Sequence, residues 1–129
     1  MSKYVVDAWA WIEYLIGSEA GAKVNGVLVK EGSGVYTCAI TLAEVISKTA
    51  REGRDVEAAY DLLLSNSQVM NVDEELSKHA GLLHAEMRRT EKDFGLADAY
   101  VLATAKKLKS KILTGDLHFR NVKEAVLIK

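Results

Sequence analysis

The sequence predicts an α/β fold: a central, mostly parallel sheet of four to five strands with helices on both faces. Two observations carry this. Short apolar, β-branched runs alternate with amphipathic helical stretches along the chain, the pattern of a parallel sheet buried on both sides. Four carboxylates, Asp7, Glu44, Asp98 and Asp116, each stand where an apolar segment begins or ends or inside one. In such folds ligands bind beyond the carboxyl ends of the strands, and Asp7 and Asp116 fall at or just past two such ends.

The elements follow in order. Residues 3–7 (Lys-Tyr-Val-Val-Asp) are β-branched and aromatic and read as a short buried strand ending at Asp7. Residues 8–16 favour a helix stopped by Gly17, and 19–30 a second with Ala20, Val24, Val27 and Leu28 at helical spacing. Gly32 and Gly34 mark a turn before the strand Val35-Tyr36-Thr37-Cys38. Thr41 and Glu44 form a capping-box pattern that starts a helix running to about Arg51, closed by Gly53. Residues 55–65 carry Val56, Ala59, Tyr60, Leu63 and Leu64 on one helical face. A strand over 68–72 precedes Asp73, which caps a long helix facing Leu76, Ala80, Leu83 and Met87 inward. Gly95 breaks the pattern before a helix over 96–108, whose terminal Lys106, Lys107 and Lys109 complement the helix dipole. Strands over 111–114 and 125–128 complete the chain.

At 129 residues, with no linker, repeat or low-complexity tract, the chain reads as one domain over 1–129. No apolar run approaches the roughly 20 residues that span a bilayer, and the N-terminal stretch lacks the features of a signal peptide. The lone Cys38 excludes an internal disulfide and fits a reducing compartment, so a cytoplasmic protein is expected. A net charge of −1 gives no overall nucleic-acid footprint, although local patches matter more than totals.

Each acid has a structural alternative. Asp7 could cap the helix that follows it, Glu44 could only complete the capping box, Asp98 could cap the turn after Gly95, and Asp116 could be a turn residue. Taken together they point further. Carboxylates beside core-forming residues are costly to desolvate without a positive partner, and several packed together hold protons at neutral pH. A divalent cation reverses that penalty. Oxygen ligands suit Mg²⁺ or Mn²⁺ and need no His or Cys. Mg²⁺ takes only one or two protein carboxylates and keeps its waters, so four acids can hold one ion directly and partly through water, or hold two.

The blocks Val5-Val6-Asp7, Thr41-Leu42-Ala43-Glu44-Val45, Gly95-Leu96-Ala97-Asp98-Ala99 and Leu113-Thr114-Gly115-Asp116-Leu117-His118-Phe119 occur in this order and cover nearly the whole chain. With them the sequence resembles a PIN-domain nuclease of the VapC type found in prokaryotic toxin–antitoxin pairs. The resemblance implies a PIN-like α/β/α sandwich and an Mg²⁺- or Mn²⁺-dependent endoribonuclease that leaves a 5′-phosphate and a 3′-hydroxyl. It implies Asp7, Glu44, Asp98 and Asp116 as catalytic and metal-holding acids, with Thr114 orienting Asp7 or a water. It further implies an RNA substrate, a homodimer, and a small antitoxin that occupies the active-site groove. One departure stands out: the family often has Thr or Ser after the first Asp, and here Ala8 and Trp9 follow, so any supporting hydroxyl there is lost.

Other residues have two readings each. Lys48, Arg51 and Arg54, and Arg88, Arg89 and Lys92, could meet RNA phosphates or form solvated helix faces; Asp93 could be an outer member of the acidic pocket. Trp9, Trp11 and Tyr14 belong to the core or to an interface. His79, His84 and His118 lack ligand spacing and are expected not to bind metal, although His118 could meet substrate. Cys38 reads as a small buried hydrophobe. Competing functions are a PIN nuclease for RNA processing without antitoxin, a catalytically silent PIN scaffold acting as a binding module, and a phosphotransfer domain. The last is opposed by Trp9, which stands where a dehalogenase-type second Asp belongs, and by the lack of a receiver-type acidic pair and Lys.

Overall fold

The computed structural model describes residues 2–128. Five strands, β1 (Lys3–Val6), β2 (Gly34–Cys38), β3 (Gln68–Met70), β4 (Lys111–Thr114) and β5 (Ala125–Leu127), form one sheet in the order β3-β2-β1-β4-β5. Every pairing is parallel. The helices are α1 (Ala8–Ile16), α2 (Glu19–Leu28), α3 (Ala39–Arg51), α4 (Val56–Asn66), α5 (Glu74–Met87) and α6 (Leu96–Leu108), with a 3₁₀ turn over Leu117–Phe119.

The period of two in the central strands divides the core. Val5 and Ile112 point to one face and pack with Leu76, Ala80, Phe94, Leu102 and Phe119. Their neighbours Val6 and Leu113 point to the other and pack with Trp11, Val24, Val45 and Leu63. All four strand residues are at most 1% exposed, which is why β1 and β4 read as continuous apolar runs rather than alternating ones. The register sets Val5 against Ile112 and Val6 against Leu113. It therefore brings the ends of β1 and β4 side by side, and Asp7 N–H continues the ladder by donating to the Leu113 carbonyl at 3.2 Å.

The chain leaves β1 toward β2 and β3 on one side, then returns to build β4 and β5 on the other. Between β1 and β4 the connections diverge, opening the crevice in which doubly wound sheets bind ligands.

Most sequence expectations hold to within a residue or two. The exceptions have physical causes. α3 begins at Ala39, two residues before Thr41, with Cys38 as its cap residue and no capping side chain. Thr41 thus lies inside the first turn, fully buried, and among the described residues its Oγ1 has no hydrogen-bond partner. The Thr41–Glu44 capping box is not formed. α2 ends at Leu28, short of residue 30, and β3 stops at Met70, where its pairing with Cys38 ends. Among the described residues, no helix is long and apolar enough to cross a membrane.

Candidate metal centre at the sheet switch point

Asp7 is the floor of the site. It follows β1 directly and caps α1, with Oδ1 accepting the Ala10 N–H at 2.9 Å. Its Oδ2 accepts a hydrogen bond from the Thr114 hydroxyl. Thr114, the last residue of β4, is fully buried, and its Oγ1 in turn accepts the Asp116 N–H at 3.0 Å. One hydroxyl therefore ties the first acid to the loop that carries the last. Asp7 is only 4% exposed. Burial pushes its carboxyl up to about 7, opposed by the hydrogen bonds from Thr114 and Ala10 and assisted by the charges of Asp116 and Asp98.

The packing around Gly115 is tight. A Cβ on Gly115 would stand 2.3 Å from two atoms of the Trp9 ring and 2.6 Å from the Ile128 carbonyl oxygen. Trp9, in the position where a hydroxyl residue was expected, instead lies across the Thr114-Gly115-Asp116 backbone, and only glycine leaves room for it. Trp11 is fully buried, donates from Nε1 to Thr37 Oγ1 at 3.1 Å, and meets Tyr14 edge-on at 5.8 Å. Trp11 belongs to the core.

Asp98, Asp116 and His118 form the rim. Asp98 lies in the first turn of α6, where its Oδ2 accepts the Gly95 N–H at 2.8 Å. Asp116 caps the 3₁₀ turn, its Oδ1 accepting the His118 N–H at 2.9 Å. The His118 ring turns back so that Nδ1 stands 3.3 Å from Asp98 Oδ2 and 3.4 Å from Asp116 Oδ1. One ligand atom from each of these three residues lies within 4.8 Å of the others. Burial is the main cause of a raised carboxyl at Asp98, held back by Gly95 N–H and His118 and pushed further by Asp116.

Glu44 lies on α3. Its carboxyl is also raised, first by desolvation and then by the charges of Asp98 and Asp116. The charges of Asp98 and Asp116 thus reach both Asp7 and Glu44, while the ligand atoms that lie within 4.8 Å of one another belong, among the described residues, to Asp98, Asp116 and His118. Glu44 shares a groove of 430 Å³ with Ala8, Ser47, Lys48 and Arg51.

Asp7, Asp98 and Asp116 do perform the capping and turn roles that their positions suggest, and the clustering comes in addition. Arg54 turns away, 3.6 Å from Glu52, and lines a different cavity with Ile12, Leu15 and Asp55. Arg88, Arg89, Lys92 and Asp93 are exposed around the end of α5 and the loop that follows. His118 was expected not to bind metal, yet it is the residue that joins Asp98 and Asp116. The signal for it was weak: a two-residue offset from Asp116 becomes proximity only because the 3₁₀ turn folds the ring back.

Two contacts fasten the rim. Phe94 and Phe119, both fully buried, meet edge-on at 5.5 Å. Buried Glu91 receives Arg120 Nη2 at 2.9 Å on Oε2 and 3.2 Å on Oε1. Together they join the loop before α6 to the 3₁₀ turn, the two segments that present Asp98 and Asp116. Sequence reading found neither Glu91 nor Arg120, because a long-range pair at an offset of 29 leaves no local pattern.

The donor set fits a divalent cation. Carboxyls raised by burial and then by neighbouring acidic charge are what a positive ion would relieve, and carboxylate oxygens are suitable ligands for hard or intermediate divalent ions.

A parallel α/β sandwich with an acid cluster at its switch point defines the class of protein. A family model described as the PIN domain matches residues 4–125, and the chain belongs to that family. Family membership implies nuclease activity. The fold is similar to that of VapBC2 from Rickettsia felis bound to a promoter DNA fragment, with 12% identity, a TM-score of 0.76, and 98% of this chain and 99% of that one covered. It is similar to DNA-bound VapBC from Salmonella typhimurium, with 21% identity, a TM-score of 0.71 and coverage of 98% and 97%. It is also similar to VapC20 of Mycobacterium tuberculosis, a toxin that cleaves the sarcin–ricin loop, with 19% identity, a TM-score of 0.67 and coverage of 84% and 85%. No curated protein matches the sequence.

Proposed function

We propose that this chain is a metal-dependent endoribonuclease of the VapC type, cytoplasmic, made as the toxin of a toxin–antitoxin pair. The observation that supports the reading is the cluster of Asp98, Asp116 and His118, whose acidic charges also reach Asp7 and Glu44. The RNA-cleaving activity named for the similar M. tuberculosis toxin supports RNA as the substrate.

In this reading the four acids hold the cation. Bound there, Mg²⁺ or Mn²⁺ would activate a water and neutralise charge on the phosphoryl oxygens. Thr114 acts as a positioning residue: its hydroxyl fixes Asp7 Oδ2 and its oxygen holds the Asp116 backbone. Lys48 and Arg51 flank Glu44 and offer phosphate contacts that fix the register of the strand without reading its bases.

Partner binding follows from the same region. Beside the groove that holds Glu44, Lys48 and Arg51, α3 and α4 form an apolar groove lined by Leu42, Ile46, Val56 and Tyr60, which shares Ala43 and Ser47 with it. An antitoxin segment lying there would cover the approach to Glu44. Toxin–antitoxin complexes among the similar structures support such a partner, and a homodimer is part of the same proposal.

The test is cleavage of a total-RNA pool by chelator-stripped protein, with Mg²⁺ or Mn²⁺ restored and Asp98→Asn run beside it. Cutting that needs metal and vanishes in the variant is the expected result. Cutting that persists in chelator or in Asp98→Asn would remove the reading.

A further inference from the structure

Resting on the cation site just proposed, we infer that His118 is a nitrogen ligand of that site and makes it prefer Mn²⁺ to Mg²⁺. The geometry is specific. Nδ1 lies 3.3 Å from Asp98 Oδ2 and 3.4 Å from Asp116 Oδ1. Donors on adjacent positions of an octahedral shell with bonds of about 2.1 Å stand roughly 3 Å apart, so both distances from Nδ1 are near the spacing that one ion would impose, and the two carboxylates lie within 4.8 Å of each other.

The ring is held in place from its own backbone. His118 N–H donates to Asp116 Oδ1 at 2.9 Å. The next residue, Phe119, is fully buried against Phe94 and anchors the turn. Glu91 and Arg120 clamp the following position. Both groups nearest Nδ1 are carboxylate oxygens, so this nitrogen either gives them a proton or shares a cation with them.

The chemistry then separates the ions. Mg²⁺ is a hard ion that demands oxygen donors in near-ideal octahedral geometry. Imidazole nitrogen suits first-row transition ions, while a carboxylate-rich set suits Mg²⁺ and Mn²⁺. Two carboxylates and one imidazole satisfy both conditions best for Mn²⁺. The half-exposed ring leaves the remaining side of the site open to water and substrate.

Titration of the metal-free protein with Mn²⁺, with free ion followed by electron paramagnetic resonance and Mg²⁺ added as competitor, tests this without any activity readout. The expected result is that Mg²⁺ displaces Mn²⁺ only in large excess and that His118→Ala lowers the required excess about tenfold. Pulsed spectra of the wild-type complex should show coupling to one imidazole ¹⁴N, absent in His118→Ala. Mn²⁺ bound with no ¹⁴N coupling and an unchanged excess overturns the His118 assignment but leaves the acid site standing. No Mn²⁺ binding by the wild-type protein removes the cation reading and this inference with it.

Discussion

The floor and the rim of the crevice are built in opposite ways. The floor is Asp7, capping α1 and tied to Thr114. It belongs to the sheet ends and shares their rigidity. The rim is Asp98, Asp116 and His118, half-open side chains presented by a helix start and a 3₁₀ turn and joined by the Phe94–Phe119 and Glu91–Arg120 contacts. A buried carboxylate with fixed donors stores a desolvation cost, whereas partly exposed acids store less of it. The difference teaches that one site can combine an acid held by the sheet ends with donors held by loop contacts distant in sequence.

Removing a charge from the rim should have the largest effect. Asp98→Asn keeps an acceptor for Gly95 N–H but loses a cation-holding charge, and cleavage should fall on the order of 10²–10³-fold with little change in folding. A variant that loses stability as severely as activity would show that Asp98 belongs structurally to the floor.

The floor makes its own prediction through pH. The Asp7 carboxyl lies at about 7 in the folded protein against an ordinary 3.8. Below pH 4 it is protonated in both states and has no effect. Between 4 and 7 the folded state keeps a proton that the unfolded state releases, so stability falls as pH rises. Above 7 the penalty is complete, up to about 4 kcal/mol for three pH units. Glu44 and Asp98, also raised, act in the same direction. Metal-free protein should therefore unfold at lower urea concentration at pH 8 than at pH 5. Asp7→Asn should flatten that slope and be more stable than wild type at pH 8. Equal slopes in the two proteins would mean that Asp7 is already ionised and compensated.

Thr114→Val sharpens the comparison, since it cuts the hydroxyl link from Asp7 to Asp116 while keeping the shape of the strand end. Asp7 loses a donor and Asp116 N–H loses its acceptor. An unsatisfied buried group costs about 1–3 kcal/mol, readable by urea denaturation at pH 5. The lost donor should also raise the Asp7 carboxyl further and steepen the pH dependence. Thr114→Ser, which keeps the hydroxyl, should restore most of both.

The floor was legible in the sequence and the rim only in part. Val5-Val6-Asp7 and Lys111-Ile112-Leu113-Thr114 are local patterns whose burial on both faces follows from composition, so their shared end at the switch point could be anticipated. Asp98 and Asp116 were found because charge interrupts apolar helix and strand signals. The start of α3 misled because Thr41–Glu44 imitates a capping box, while parallel pairing extends β2 to Cys38 and helix geometry begins directly after it. Tertiary placement outweighed a local preference worth about 1 kcal/mol. His118, Glu91 and Arg120 escaped because their roles depend on a turn's path and on contacts far apart in sequence.

The Glu91–Arg120 clasp gives the smallest and most discriminating effect. Arg120 is half-exposed but Glu91 is buried, so the test keeps a positive charge beside it: Arg120→Lys loses the two-oxygen contact at a cost of about 1 kcal/mol to folding. Its position joins the two segments that present Asp98 and Asp116. If the rim depends on that clasp, Arg120→Lys should barely change the unfolding midpoint yet weaken Mn²⁺ binding several-fold, up to about tenfold. The pH slope set by Asp7 should stay as it is, because Arg120 bonds Glu91 and the Leu117 carbonyl, both away from Asp7 in the chain. Measured together, an altered pH slope with unaltered metal affinity would show that the clasp supports the floor and not the rim.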